Sequence, residues 1–127
     1  MINQQVDAIV LAPNNADALA RPVEEAAARH IPVVIIDSAV NTDKYTAFVA
    51  TDNKKGGTMG GNELATELGG KGKVIMLRYQ EGSASTNDRE EGAIAALKSH
   101  PGIQLESTNK YGGVTEDACQ KSAENLL

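Results

Sequence analysis

Apolar residues in this chain come in short runs that stop abruptly on polar ones. The sharpest case is Ile31-Pro-Val-Val-Ile-Ile-Asp-Ser38. Val33 to Ile36 are four β-branched residues in succession, the pattern of a strand buried on both faces, and Asp37 follows at once. Val6-Asp-Ala-Ile-Val-Leu-Ala12 reads as a second buried strand, ending at Pro13-Asn-Asn15. Lys44 to Ala50 is a third extended segment and again ends on polar residues, Thr51-Asp52-Asn53. Lys73–Leu77 and Ile103–Ser107 complete the predicted strands.

Between these runs the apolar spacing changes to a helical period. Leu19, Val23, Ala26 and Ala27 share one face, and Pro22 suits the start of that helix. Lys54 to Leu68 is a glycine-rich helix, with Asp52 or Asn53 as its N-cap and Met59, Leu64, Ala65 and Leu68 as its inner face. Its four glycines make it poor by propensity, so close packing against a neighbour is the expected reason for them. Gly69-Gly-Lys-Gly72 is a stop signal. Asn87–Ser99 is predicted helical with Ala93, Ile94 and Leu97 inward, and Pro101-Gly102 breaks it. Tyr111-Gly-Gly113 marks a turn, and Thr115 caps a last helix running to Leu127. The predicted order, β-α-β-β-α-β-α-β-α, belongs to an α/β fold with a mainly parallel sheet and helices on both faces. The chain begins directly before a strand and stops at a helix end, which reads as a piece of something longer.

Composition narrows the partners more than the fold. The 127 residues suit one compact domain, and 41% hydrophobic with 23% charged content is ordinary for a globular protein. A net charge of −5 argues against nucleic acid, whose phosphates need a basic face. No apolar run reaches membrane-spanning length, so no direct membrane insertion is expected, and Met1-Ile-Asn-Gln-Gln5 is not a signal peptide. The single cysteine, Cys119, excludes an intrachain disulfide.

Three polar clusters sit at predicted strand ends: Asp37-Ser38, Thr51-Asp52-Asn53 and the loop from Gln80 to Arg89. In open α/β sheets ligands bind beyond the carboxyl ends of strands, which places Asp37 for function; taken alone, a carboxylate capping the next loop explains it equally well. Arg89 lies in Asn87-Asp-Arg-Glu-Glu-Gly92, at a helix start. A carboxylate that accepts hydrogen bonds and a guanidinium that donates them in a fixed fork together suit a polyhydroxylated small molecule. The plainer alternative is a structural salt bridge or a solvated helix start. Enzyme signatures are thin. His30 and His100 have no partner at metal-ligand spacing, Gly82-Ser-Ala-Ser85 is not a nucleophile elbow, and the glycine groups lack phosphate-loop order. No cofactor or metal is expected.

Four segments in order resemble the periplasmic sugar-binding proteins of ABC transporters, of the ribose-binding type, whose fold is shared by LacI-type effector domains. These are Val6–Pro13, Ile31–Asp37, Val49-Ala-Thr-Asp-Asn53 followed by Gly56-Gly57, and Arg89-Glu-Glu-Gly92. The resemblance implies a partial periplasmic-binding-protein-like I fold, three-layer α/β/α, with residues 1–52 in a first sugar-binding lobe and 53–127 in a second. It implies that Asp37 accepts from sugar hydroxyls and that Arg89 donates to the ring oxygen or a hydroxyl, with Ser38, Thr51 and Gln80 beside them. Ser38 stands where ribose binders carry an arginine, Ala12 where they carry an asparagine, and Ala93 where an aromatic follows the Arg-x-x-Gly pattern. Ribose itself is therefore not implied. The function implied is non-catalytic binding of a monosaccharide or polyol for an ABC importer. Its full-length protein would be periplasmic or an extracellular lipoprotein and would meet a transporter permease. The alternatives are a LacI-type effector domain and a small flavodoxin-like enzyme. Self-association is expected where missing strands leave surfaces bare.

Overall fold

The computed structural model describes residues 5–126. Its elements follow the predicted order: β1 (Ile9–Leu11), α1 (Ala20–Ala28), β2 (Val33–Ile36), β3 (Ala47–Val49), α2 (Asn53–Glu67), β4 (Lys71–Arg78), α3 (Ala84–Lys98), β5 (Gly102–Tyr111) and α4 (Glu116–Glu124). The fold is α/β with parallel sheets. Two compact units are present: residues 1–51 with Gly82–Ser85, and residues 52–81 with 86–127.

In the first unit β1, β2 and β3 form a parallel sheet in that order, with Val33 opposite Ile9 and Ile36 opposite Val49. Strand alternation sends Val33 and Ile35 to one face, where they pack with Val23, Ala26 and Val40. Pro22 sits in the first turn of α1, where the backbone N–H it lacks has no intrahelical partner. The expectation that β2 is buried on both faces is corrected. Val33 and Ile35 are buried, but Ile36 is exposed and Val34 half-buried. The face carrying Val34 and Ile36 also carries Val10 and Val49, both more than 60% exposed. Among the described residues of this unit α1 is the only helix, and it covers the other face. β3 is shorter than Lys44–Ala50, because only Ala47–Val49 meet the ladder of β2.

In the second unit β4 and β5 pair in parallel, and Ala65, Leu97 and Ile103 form the core, with Leu68, Val74 and Leu105 against it. Both strands run longer than predicted, through polar residues that the ladder still pairs: Arg78 lies opposite Tyr111. Asp52 is the N-cap of α2, accepting from the Lys55 amide at 3.0 Å. The helix ends as its glycines demand. Gly69 and Gly70 take positive φ, and their amides bond back to Thr66 and Ala65 in a Schellman motif.

The inner face of α2 is the predicted one at Ala65 and Leu68 but not at Met59 and Leu64. Asn53, Gly57, Gly61 and Ala65 are buried, whereas Met59 and Leu64 are exposed. The cause is contact with α3: a Cβ at Gly57 would overlap the Arg89 carbonyl, and one at Gly92 would overlap the Lys54 carbonyl. The two backbones approach too closely for larger residues, so the small ones face inward and the large ones turn out. Close packing as the reason for Gly57 and Gly61 therefore holds, while Gly56 and Gly60 face open space. On α3, Ala96 and Leu97 are fully inward, with Ala93 and Ile94 half-buried. Thr115 caps α4, which ends at Glu124; Leu127 lies outside the described residues.

Candidate functional site

The carboxyl end of β2 is where the first unit departs from ordinary backbone geometry. Asp37 has φ 66°, a left-handed conformation that non-glycine residues seldom adopt. Its amide donates to the Val49 carbonyl at 3.0 Å, continuing the β2–β3 ladder one residue past the strand. The Ser38 amide then donates to the Ile36 carbonyl at 2.8 Å, closing a three-residue turn centred on Asp37. A γ-turn with positive central φ is the rare, strained form. Aspartate tolerates it better than a β-branched residue would. The turn lifts an exposed carboxylate out of the sheet edge immediately after β2.

Ser38 does not share that exposure. It is 2% exposed, and its Oγ accepts from the Ser85 amide at 3.0 Å. The same loop is held at its other end by the Ala16 amide, which donates to the Gly82 carbonyl at 3.0 Å. Ser38 thus pins the loop Gly82–Ser85 by accepting that bond. Thr51 is exposed two residues beyond β3, and the Asp37–Val49 bond ties that strand end to the Asp37 turn. An open recess of about 330 Å³ lined by His30, Lys44 and Tyr45 lies at the opposite, amino-terminal end of β2 and β3.

In the second unit Arg89 lies near the start of α3, and its Nε donates to Asn53 Oδ1 at 2.7 Å. Asn53 is itself buried at the first position of α2. The close α2–α3 contact at Gly57 sets this distance, because the Arg89 carbonyl rests against that glycine. Gln80 is half-buried just after β4. Next to Arg89, Glu90 uses both carboxylate oxygens. Oε2 accepts from Arg78 Nε at 2.5 Å and Oε1 from the Tyr79 amide at 3.0 Å. The hydrogen bond to Glu90 is the main cause that raises the Arg78 guanidinium above its ordinary pKa. Asn53, Glu90 and Arg78 were not singled out as site residues in the sequence. The signal for Asn53 was its place in the polar cluster after β3; for Arg78 and Glu90, twelve residues apart, no local pattern exists. Among the described residues no group of His, Cys, Asp and Glu side chains is placed to hold a metal ion. No helix there is long and apolar enough to cross a membrane.

Taken together, parallel sheets flanked by helices, with polar residues at the carboxyl ends of the strands, define an α/β protein of the open-sheet class. The chain belongs to the periplasmic binding protein domain family, whose model matches residues 1–127. It is 38% identical over 92 residues to the ribose import binding protein of Bacillus subtilis, covering 72% of this chain and 30% of that protein. It is 29% identical over 121 residues to the xylitol-binding protein of Mycolicibacterium smegmatis, covering 95% of this chain and 35% of that one. A solved structure, the periplasmic component of an ABC-type sugar transport system from Hahella chejuensis, superimposes with a TM-score of 0.92 at 34% identity. That match covers 99% of this chain and 46% of that one. The chain thus spans about a third of the length of these curated relatives.

Proposed function

We propose that this chain is part of a non-catalytic binding protein for a monosaccharide or related polyol, serving as the solute-binding component of an ABC importer. The observation that carries the reading is the Asp37 carboxylate, held at positive φ on the carboxyl end of β2. A backbone outlier of this kind persists where the surroundings over-determine it, and such strain gathers at binding sites. Asp37 is then the main acceptor for sugar hydroxyls and Arg89 the main donor, with Thr51 and Gln80 as further polar contacts. Ser38 serves in this reading by holding the loop at Ser85, so the short side chain need not reach the ligand. Relatives described as binding ribose and xylitol, and a solved neighbour from Agrobacterium vitis with bound D-fucose, support the ligand class without selecting one sugar.

Further parts of the proposal are a periplasmic location, a permease partner, and the assignment of residues 1–52 and 53–127 to two sugar-binding lobes. No specific observation favours a LacI-type effector domain or a flavodoxin-like enzyme. The test is calorimetric titration of the full-length protein with D-ribose, xylitol, D-fucose, D-arabinose and other common pentoses and hexoses. At least one should bind. Asp37→Ala and Arg89→Ala should each weaken that binding by about 1.5–3 kcal/mol, the worth of a hydrogen bond to a charged group. Undiminished binding by both variants would remove these residues from the site.

A further inference from the structure

Among the described ion pairs, Arg78–Glu90 stands apart. Its side chains are 19% and 11% exposed, while every other pair is at least 46% exposed on both sides. Surface pairs of the latter kind contribute little. The half-buried one is embedded in a network that joins three elements. Glu90, on α3, holds Arg78 at the end of β4 through one oxygen and the next residue's amide, Tyr79, through the other. Arg78 Nη2 donates to Asn87 Oδ1 at 3.2 Å, and its guanidinium lies 4.9 Å from the centroid of the Tyr111 ring, at the end of β5. From the other side the Gly112 and Gly113 amides bond to the Arg78 and Tyr79 carbonyls.

Arg89 is flanked by this network. It follows Asn87 by two residues and precedes Glu90, and its own Nε is bound to Asn53. A guanidinium on a long, rotamer-rich stem recognises a hydroxylated ligand only if its helix start is held still. We infer that Glu90 and Arg78 are positioning residues for Arg89: their bonds lock the start of α3 to the end of β4 and so fix where the Arg89 guanidinium points. This rests on Arg89 being a ligand contact, as proposed above. It extends that reading to two residues that need not touch the ligand, and it predicts that their removal costs affinity through geometry.

The experiment compares the full-length parent with Glu90→Gln and with Ile103→Val, a core change in the same unit that lowers stability without touching the network. Three quantities are measured: the thermal midpoint, affinity for whichever sugar of the panel above binds the parent, and the NMR signals of the Arg89 Nε–H and Tyr79 amide. For Glu90→Gln both signals should shift and exchange faster with solvent. Affinity should fall roughly tenfold, the low end of what losing an outer-shell partner costs at metal sites. Ile103→Val should lower the midpoint and leave signals and affinity in place. If Glu90→Gln lowers only the midpoint, as Ile103→Val does, the pair is merely structural and the inference is overturned. If no sugar binds the parent, the functional reading fails, and the Arg89 signal alone decides whether Glu90 positions it. Should Glu90→Gln not fold, Arg78→Lys is measured in the same way. It keeps a positive charge beside Glu90 and the Tyr79 bond, but loses the fork that reaches Asn87. Because lysine can keep the pairing with Glu90, Arg78→Met, which removes the donors to both Glu90 and Asn87, is measured beside it, and an unmoved Arg89 signal in Arg78→Met overturns the inference equally.

Discussion

In the proposed reading, Asp37 sets stability against function at the scale of one residue. A left-handed conformation costs a non-glycine residue about 1–2 kcal/mol, which glycine escapes at a smaller entropic cost of its own. Asp37→Gly should therefore have a thermal midpoint at least equal to the parent's while losing sugar binding. A clear fall in midpoint would show that the carboxylate itself stabilises the turn. Asp37→Val is the opposite case. A β-branched side chain at φ 66° should be strongly destabilising, as chemical denaturation would show. Position 37 was legible in the sequence as a candidate, because four β-branched residues end there on a carboxylate, a pattern that a loop cap explains equally well. Its strain was not, since no local rule forces positive φ there.

At the scale of elements, α2 and α3 show how a pattern can be right for the helix and wrong for part of its face. Apolar spacing nominated Met59 and Leu64; packing chose Gly57 and Gly61. The difference gives a test within one helix. Gly57→Ala puts a methyl into the Arg89 carbonyl and should cost about 1–3 kcal/mol, as overpacking does. Gly56→Ala and Gly60→Ala meet nothing and should each stabilise by up to about 1 kcal/mol through helix propensity. Urea denaturation of the three variants decides it; equal effects at 56 and 57 would mean the helices do not meet as described. Since the Arg89 carbonyl is the group in contact, Gly57→Ala should also disturb the Arg89–Asn53 bond.

At the scale of the whole molecule, the first unit's sheet leaves one apolar face open. Val10 is 66%, Val49 64% and Ile36 38% exposed, and all three lie on the side away from α1. Contiguous exposed apolar surface drives association. This supports the expectation that the 127-residue chain self-associates, a point the full-length protein need not share. Sedimentation of the isolated chain should show species larger than a monomer, reduced by Val10→Lys and Val49→Lys. A clean monomer at micromolar concentration would count against it.

The sequence by itself determined the order of elements, the strand–helix alternation, the parallel pairing and the helix caps at Asp52 and Thr115. Each of these depends on side-chain period or on bonds spanning a few residues. It also placed Asp37 just past a strand end, and its ordered segments pointed to the family; Arg89, expected in the first turn of its helix, lies in the second because α3 begins at Ala84. Only the tertiary structure decided which face of α2 is buried, that Ser38 is sealed beneath the Ser85 amide, and that Arg89 rests on Asn53. It alone joined Arg78 to Glu90. Those outcomes depend on contacts between residues 12 to 47 positions apart, where the distance is set by how closely two backbones pack. Local propensity carries no information about that distance.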